Sequence, residues 1–212
     1  MTLPPNFHIV KHSLIQHKMT FIRDTSTKPK VFRELVDEIT ILVATEATKD
    51  LPLKIVETET PLAKSATKIL DVRDVVIVPI LRAGFGMVNG VTKLIPNAKI
   101  GSVGLERDHE THRPVDYYFN VPASAENQVY LVLDPMLATG GTTIATVEKL
   151  KKMGAEIIKF ICLIAAPEGV TAFSNSHPEV DVYSAVLDEK LNSQKYIVPG
   201  LGDAGDRLFG TE

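Results

Sequence analysis

Residues 129–143 read Val129-Tyr130-Leu131-Val132-Leu133-Asp134-Pro135-Met136-Leu137-Ala138-Thr139-Gly140-Gly141-Thr142-Thr143. An apolar run without alternation ends at Asp134, as expected of a strand covered on both faces of a parallel sheet. A short loop follows. From Thr142 to Met153, Ile144, Val147, Leu150 and Met153 fall along one side of a helix, and Gly154 is placed to stop it. In parallel sheets ligands collect beyond the carboxyl ends of strands. A helix N-terminus there offers unpaired amides and partial positive charge, which suits a phosphate. Gly140 and Gly141 let the backbone close around an anion, and Thr139, Thr142 and Thr143 add hydroxyl donors. Asp134 is placed to accept hydrogen bonds from vicinal sugar hydroxyls.

Outward from this stretch the same pattern repeats. Val75 to Ile80, Ile100 to Leu105 and Lys159 to Ala165 read as further strands, and Val180 to Val186 as one more with alternation. Residues 31–47 have helical apolar spacing, and Thr60-Pro61 reads as the start of a helix carrying Leu62, Ala63, Ala66, Ile69 and Leu70. Glu106 to Val115 is polar and unpatterned, hence a loop, and Tyr117 to Val121 a short strand after it. Strands and helices at this repeat length predict an α/β fold with a parallel β-sheet core and flanking helices.

Composition narrows the function. The chain has 212 residues, is 44% hydrophobic and 23% charged, and carries a formal charge of −3. That balance predicts no nucleic-acid partner and no membrane surface, so any anion binding is local. The longest apolar runs are far short of the ~20 residues a membrane helix needs, and no basic-then-apolar leader is visible; a cytoplasmic protein is expected. One cysteine, Cys162, excludes an internal disulfide framework, and its apolar strand predicts a core residue. The His8/His12 and His109/His112 pairs suggest no third metal ligand. A P-loop would need a lysine after Gly141, where Thr142 stands. The string Gly200-Leu201-Gly202-Asp203-Ala204-Gly205 matches a dinucleotide fingerprint, but too few residues follow it for the helix and strand that motif requires.

Asp134 to Thr142 resembles the phosphoribosyl-diphosphate loop of the uracil phosphoribosyltransferase family, which keeps one acid at the strand end and a proline, here Pro135, after it. Leu14-Ile15-Gln16-His17-Lys18, Pro61-Leu62-Ala63-Lys64, Val78 to Gly84, Ala165-Ala166-Pro167-Glu168-Gly169 and Tyr196 to Asp206 are similar to that family too, so the resemblance spans nearly the whole chain. It implies a type I phosphoribosyltransferase fold in one domain over residues 1–212. The core would cover roughly 60–190, with a small hood from the N- and C-terminal segments. It implies pyrimidine salvage: transfer of the phosphoribosyl group from 5-phosphoribosyl-1-diphosphate (PRPP) to uracil, giving UMP and diphosphate. Mg2+ would be carried by the diphosphate, with no metal site of the protein's own. GTP acts as an effector in some relatives. Homo-oligomers, dimers or tetramers, are implied, with Tyr117 to Val121 and its flanks as a candidate interface arm.

The resemblance also implies residue roles. PRPP would be bound by Arg82, Arg107, Asp134, Pro135, Met136, Leu137, Ala138, Thr139, Gly140, Gly141, Thr142 and Asp203. Uracil would be bound by Ile197, Gly202, Asp203 and Ala204, chiefly through backbone groups. Asp203, Asp134 and Arg107 are the candidate catalytic residues. Chemistry agrees at several points. An arginine fork pairs phosphate oxygens and stays charged, although Arg82 also reads as a surface arginine in a salt bridge. Asp203 suits orienting the nucleophilic ring nitrogen, but equally a local cap of its Gly-Asp-Ala-Gly turn. Glu106, beside Arg107, departs from the aromatic residue of many relatives. Two rival readings stand: a phosphoribosyltransferase for a purine or orotate, although the 197–204 segment offers no cation for orotate's carboxylate, and a non-enzymatic nucleotide-sensing regulator.

Overall fold

In the computed structural model, residues 3–107, 114–123 and 126–211 are described, with side chains at all of these except 105–107 and 114–117. In chain order the strands are β1 (Phe7–Ile9), β2 (Leu53–Glu59), β3 (Lys64–Leu70), β4 (Asp74–Leu81), β5 (Lys99–Ile100), β6 (Ser102–Arg107), β7 (Pro114–Asn120), β8 (Gln128–Leu133), β9 (Met136–Leu137), β10 (Ile157–Ala165), β11 (Asp181–Leu187), β12 (Lys190–Leu191) and β13 (Ile197–Val198). The helices are α1 (Ser13–Arg23), α2 (Pro29–Ala47), α3 (Val88–Leu94), α4 (Gly141–Lys152), α5 (Pro167–Ser176) and α6 (Ala204–Phe209), with a 3-10 turn at Ala83–Met87.

The main sheet runs β1-β11-β10-β8-β4-β6-β7, parallel except for the last pair. Each central strand is buried along its length, and successive side chains go to opposite faces. Val75, Ile77, Leu131, Leu133, Ile161 and Leu163 join one core with α1, α2 and α6. Val76, Val78, Val132, Phe160 and Cys162 join the other, with Val147 and Leu150 of α4 and Phe173 of α5. Each such side chain contributes roughly 1.5–3 kcal/mol by leaving water, so both faces must stay apolar. That is why the runs show no alternation. From the adjacent pair β4 and β8 the chain builds outward in both directions, through β6 to one edge and through β10 and β11 to the other. The carboxyl ends of β4 and β8 are therefore the topological switch point, where α/β sheets hold ligands.

The strands expected at 75–80, 100–105, 129–133, 159–165 and 180–186 are present, as are the helices over 31–47 and 142–153 and a strand covering 117–120. The helix expected from Pro61 is not. Residues 53–70 form the antiparallel hairpin of β2 and β3, with Leu53 opposite Leu70 and Glu59 opposite Lys64. Thr60 Oγ1 accepts from the amides of Leu62 and Ala63 and donates to the Ala63 carbonyl. These are the bonds of a helix cap turned to closing a tight turn, and β2 provides the pairing partner that a local reading of 60–70 lacks. Tyr183 and Ala185 are buried, because β11 lies between β1 and β10 and is covered on both faces; of the alternating set only Asp181, at the start of the strand, keeps a partly exposed side chain, bonded to His8.

Candidate active site

Asp134 follows β8 and Arg82 follows β4, so both stand at the switch point. The loop from Asp134 is stitched to β10. The amide of Asp134 donates to Ile161, the Pro135 carbonyl accepts from Leu163 and Ile164, and the Leu137 carbonyl accepts from Ala166. Met136 and Leu137 pair with Ile164 and Ala165 as β9, and the Leu137 side chain is fully buried. Pro135, Met136 and Leu137 thus fix the loop's path, and Asp134 stands at its head, at the carboxyl end of β8.

Gly140 caps α4 with φ +83°, and its carbonyl takes the first helical bond, from the amide of Ile144 at 2.8 Å. The left-handed backbone there favours glycine. As a glycine, Gly140 brings no side-chain oxygen of its own to the start of α4, where the leading amides point toward the loop. Against it packs α5: a Cβ on Gly169 would lie 2.3 Å from the Ala138 carbonyl oxygen. The loop is therefore wedged between β10 and α5.

Asp134 is half-buried, with Oδ1 accepting from the Met136 amide at 3.3 Å. Burial pushes its pKa up to about 7; the Met136 amide opposes this, and the negative charge of Asp203 adds to it. The two carboxylates feel each other although they lie far apart in sequence. Asp203 is exposed and is the N-cap of α6, with Oδ1 accepting from the Asp206 amide at 2.9 Å. The capping reading of Asp203 is thus part of the structure.

Arg82 reaches Asp206 at 3.4 Å, lies 5.7 Å over the Phe209 ring, and has a side chain 60% exposed. The salt-bridge reading is also met, but a pair this exposed and long contributes little, and a phosphate competes with it readily. The 3-10 turn after Arg82 packs on both β8 and α6. An open apolar recess of about 400 Å3 beside it is lined by Leu81, Arg82, Phe85 and Phe209. The Leu81–Arg82 and Val198–Pro199 peptides are cis.

Of the base-site candidates, Ile197 and Ala204 are buried, while Gly202 and Asp203 are exposed at the turn between β13 and α6. The structure brings together Arg82, Asp134, the 138–142 loop and the start of α6. The segment 106–115 expected as a loop is shorter than that: Glu106 and Arg107 end β6 and pair with Val115 and Pro114 at the start of β7, the partner strand supplying a pairing that local polarity does not show. The side chain of Arg107 and residues 108–113, with His109 and His112, lie outside the described residues. His8 bonds Asp181 and His12 caps α1, and no group of three or more metal-ligating side chains occurs among the described residues. Among those residues no helix is long and apolar enough to cross a membrane. Local sequence reading missed Arg23, Asp188 and Arg207, which back the 197–204 turn; the partners are up to 185 residues apart, so no spacing signals them.

The family model described as uracil phosphoribosyltransferase matches residues 9–211. A protein named uracil phosphoribosyltransferase from Geobacillus kaustophilus (strain HTA426) is 57% identical over 205 residues, covering 97% of this chain and 98% of its own. One of the same name from Lysinibacillus sphaericus (strain C3-41) is 58% identical with the same coverage. The solved AQ2163 protein from Aquifex aeolicus superposes with a TM-score of 0.91 at 35% identity, over 97% of this chain and 99% of that one. Fold, switch-point site and sequence agree, and the chain belongs to the uracil phosphoribosyltransferase family.

Proposed function

We propose that the cleft bounded by Arg82, the 134–142 loop and the 197–204 turn is where this chain carries out the reaction of its family. That reaction is transfer of a 5-phosphoribosyl group from PRPP to uracil, giving UMP and diphosphate. The chain is a pentosyl-transferring enzyme. The observation that carries the site is the half-buried Asp134 at the head of the loop that leads into the N-terminus of α4 at the switch point, in electrostatic reach of Asp203. In this reading the Asp134 carboxylate accepts from the ribose hydroxyls, the amides from Ala138 to Thr142 and their threonine hydroxyls hold the 5-phosphate, and Arg82 with Arg107 pairs the diphosphate.

Uracil offers two carbonyls and two N–H groups on a small planar edge. Backbone groups at Ile197, Gly202 and Ala204 match such an edge, and cytosine, whose amine replaces a carbonyl, would leave a donor unpaired at a cost of about 1–3 kcal/mol. Transfer demands little covalent work. The anomeric carbon gains oxocarbenium character as diphosphate leaves, so positioning and stabilisation of the leaving charge supply the catalysis. Asp203 orients the attacking ring nitrogen and favours its deprotonation.

Mg2+ keeps most of its waters and binds one or two carboxylates together with substrate phosphates. The residues present fit that habit: Asp134 and Asp203, with Asp206 beside Arg82, are the carboxylates that would be available to an ion bound with the diphosphate, and such an ion would neutralise leaving-group charge. GTP activation and cytoplasmic residence belong to the same proposal and rest on the resemblance.

The proposal extends to a homo-oligomer. Leu53, Ile55 and Leu70 share one face of the β2–β3 hairpin, Ile55 is 72% exposed and Leu62 at its tip 96%. A two-stranded hairpin is marginal in water, and a second copy of the chain covering it would remove those side chains from solvent. This supports the hairpin as an interface arm in addition to the 117–121 segment.

The test of the reaction is direct. Purified protein is incubated with Mg2+, PRPP and, in turn, uracil, cytosine, orotate, hypoxanthine and adenine, and products are separated by chromatography. UMP from uracil alone is expected. Absence of UMP, or equal turnover of a purine, would overturn the reading.

A further inference from the structure

The 197–204 turn carries two backbone carbonyls that are gripped by arginines from elsewhere in the chain. Arg23, the last residue of α1, donates from Nη1 to the Gly200 carbonyl at 2.7 Å. The same guanidinium forms a fork with Asp188, Nη1 to Oδ2 at 2.8 Å and Nη2 to Oδ1 at 2.6 Å. Asp188 is buried, and its Oδ2 also accepts the amide of Gly200 at 2.7 Å. One ion pair therefore holds both polar groups of residue 200. That residue is a glycine with φ +67°, where an added Cβ would lie 2.1 Å from the Ile197 carbonyl oxygen.

The next carbonyl is held in the same manner. Arg207 of α6 donates from Nη1 to Leu201 at 2.8 Å and to Ile22 at 2.6 Å, and from Nη2 to Asp24 at 2.5 Å. Its guanidinium lies 4.5 Å over the Phe32 ring. The end of α1 is thus the frame to which both arginines tie the turn.

In a trans peptide the C=O and N–H point in opposite directions. Holding the Leu201 carbonyl toward α1 turns the amide of Gly202 away from it, to the exposed side of the turn. Among the described residues that amide makes no hydrogen bond.

We propose that Arg23, Asp188 and Arg207 are positioning residues that clamp the Gly200 and Leu201 peptides from behind and so aim the Gly202 amide at the base. This rests on the reading that the 197–204 turn receives uracil, and names what fixes its geometry. Charge-assisted bonds are shorter and stronger than neutral ones, so the clamp holds the turn rigid before the base arrives. The base then orders fewer groups on binding.

The test is steady-state kinetics on Asp188→Asn and Arg207→Lys, with KM for uracil and for PRPP measured separately and thermal melts alongside. Asparagine keeps the shape of Asp188 but breaks the fork. Lysine keeps the charge of Arg207 but replaces the two nitrogens that divide these carbonyls between them with one. A rise in KM for uracil of about tenfold or more is expected in each, with KM for PRPP within about twofold. A merely structural role would lower the melting temperature and leave both KM values alone, or raise them together, and either result overturns the clamp. Should Asp188→Asn not fold, Arg207→Lys reads the same split. Gly202→Val separates the two levels of the argument. If it leaves KM for uracil unchanged, the turn is not the base site and the reading beneath fails. If it raises that KM while the clamp variants do not, the clamp alone fails.

Discussion

Asp134→Asn isolates the cost of the acid that the sugar is to meet. Asparagine keeps the shape and an Oδ1 to accept the Met136 amide, so packing and loop path are preserved. What changes is charge. In the fold burial, with Asp203 adding to it, holds the carboxyl pKa up to about 7 against an ordinary 3.8. Below pH 3.8 both folded and unfolded chains are protonated there, and the group has no effect on stability. As pH rises from 3.8 to about 7 the unfolded chain has shed its proton while the fold retains it, so stability falls, and above 7 the loss is complete. Roughly three units at about 1.4 kcal/mol each set a ceiling near 4 kcal/mol. The variant, which has no charge to bury, escapes that loss. Urea denaturation across pH 4 to 9 should find Asp134→Asn more stable than the parent at pH 8, by up to about 4 kcal/mol or about 10 °C in melting temperature. The gap should close toward pH 4, and transfer to uracil should be lost. In the parent, KM for PRPP should climb as pH drops below about 7, because ribose hydroxyls need an ionised acceptor. Equal stability of the two proteins at pH 8, or lower stability of the variant, would refute the placement of a buried, charge-strained carboxylate at the head of the loop.

Other outcomes follow from the same geometry. Gly169→Ala puts a methyl carbon 2.3 Å from the Ala138 carbonyl oxygen; the loop must shift by about 1 Å, at about 1–3 kcal/mol of stability, and KM for PRPP should rise up to about 100-fold with KM for uracil little changed. Asp203→Asn retains the cap that α6 needs, since asparagine caps as well as aspartate, so melting should hold while turnover falls about 100-fold and the pH midpoint for PRPP moves down as the Asp203 charge leaves Asp134. Ile55→Asp with Leu62→Asp should convert an oligomer to monomers by light scattering; an unchanged mass would remove the hairpin as the interface.

Much of this was legible in the chain because it is contiguous. Strand, acid, loop, glycine pair and helix follow one another from 128 to 152, so spacing alone shows them; the left-handed backbone at Gly140 is seen only in the structure. The parallel sheet was legible because both of its faces are buried and the runs carry no polar residues on a two-residue period. The hairpin at 53–70 was not, since its apolar positions from Leu62 to Leu70 also fit a helix, and only the cross-strand partner decides between the two. Asp203 was legible as a cap, which the structure shows, and its charge is also felt by Asp134 across the sequence.

The base half of the site follows a different logic. In the proposed site, donor recognition needs a sugar acid and an anion cradle, which one strand-loop-helix unit would supply. Base recognition needs backbone groups aimed to within a fraction of an ångström, and a six-residue helix behind a glycine-rich turn cannot aim itself. The aim comes from Arg23 and Asp188, 165 residues apart, and from Arg207 bound to Ile22, 185 residues apart. These bonds need α1, the end of β11 and α6 docked together, whereas the 134–142 loop is built within a single strand-loop-helix unit. Perturbations that loosen α1 should therefore weaken uracil before PRPP, which is the order expected of a site whose two halves are encoded at different ranges.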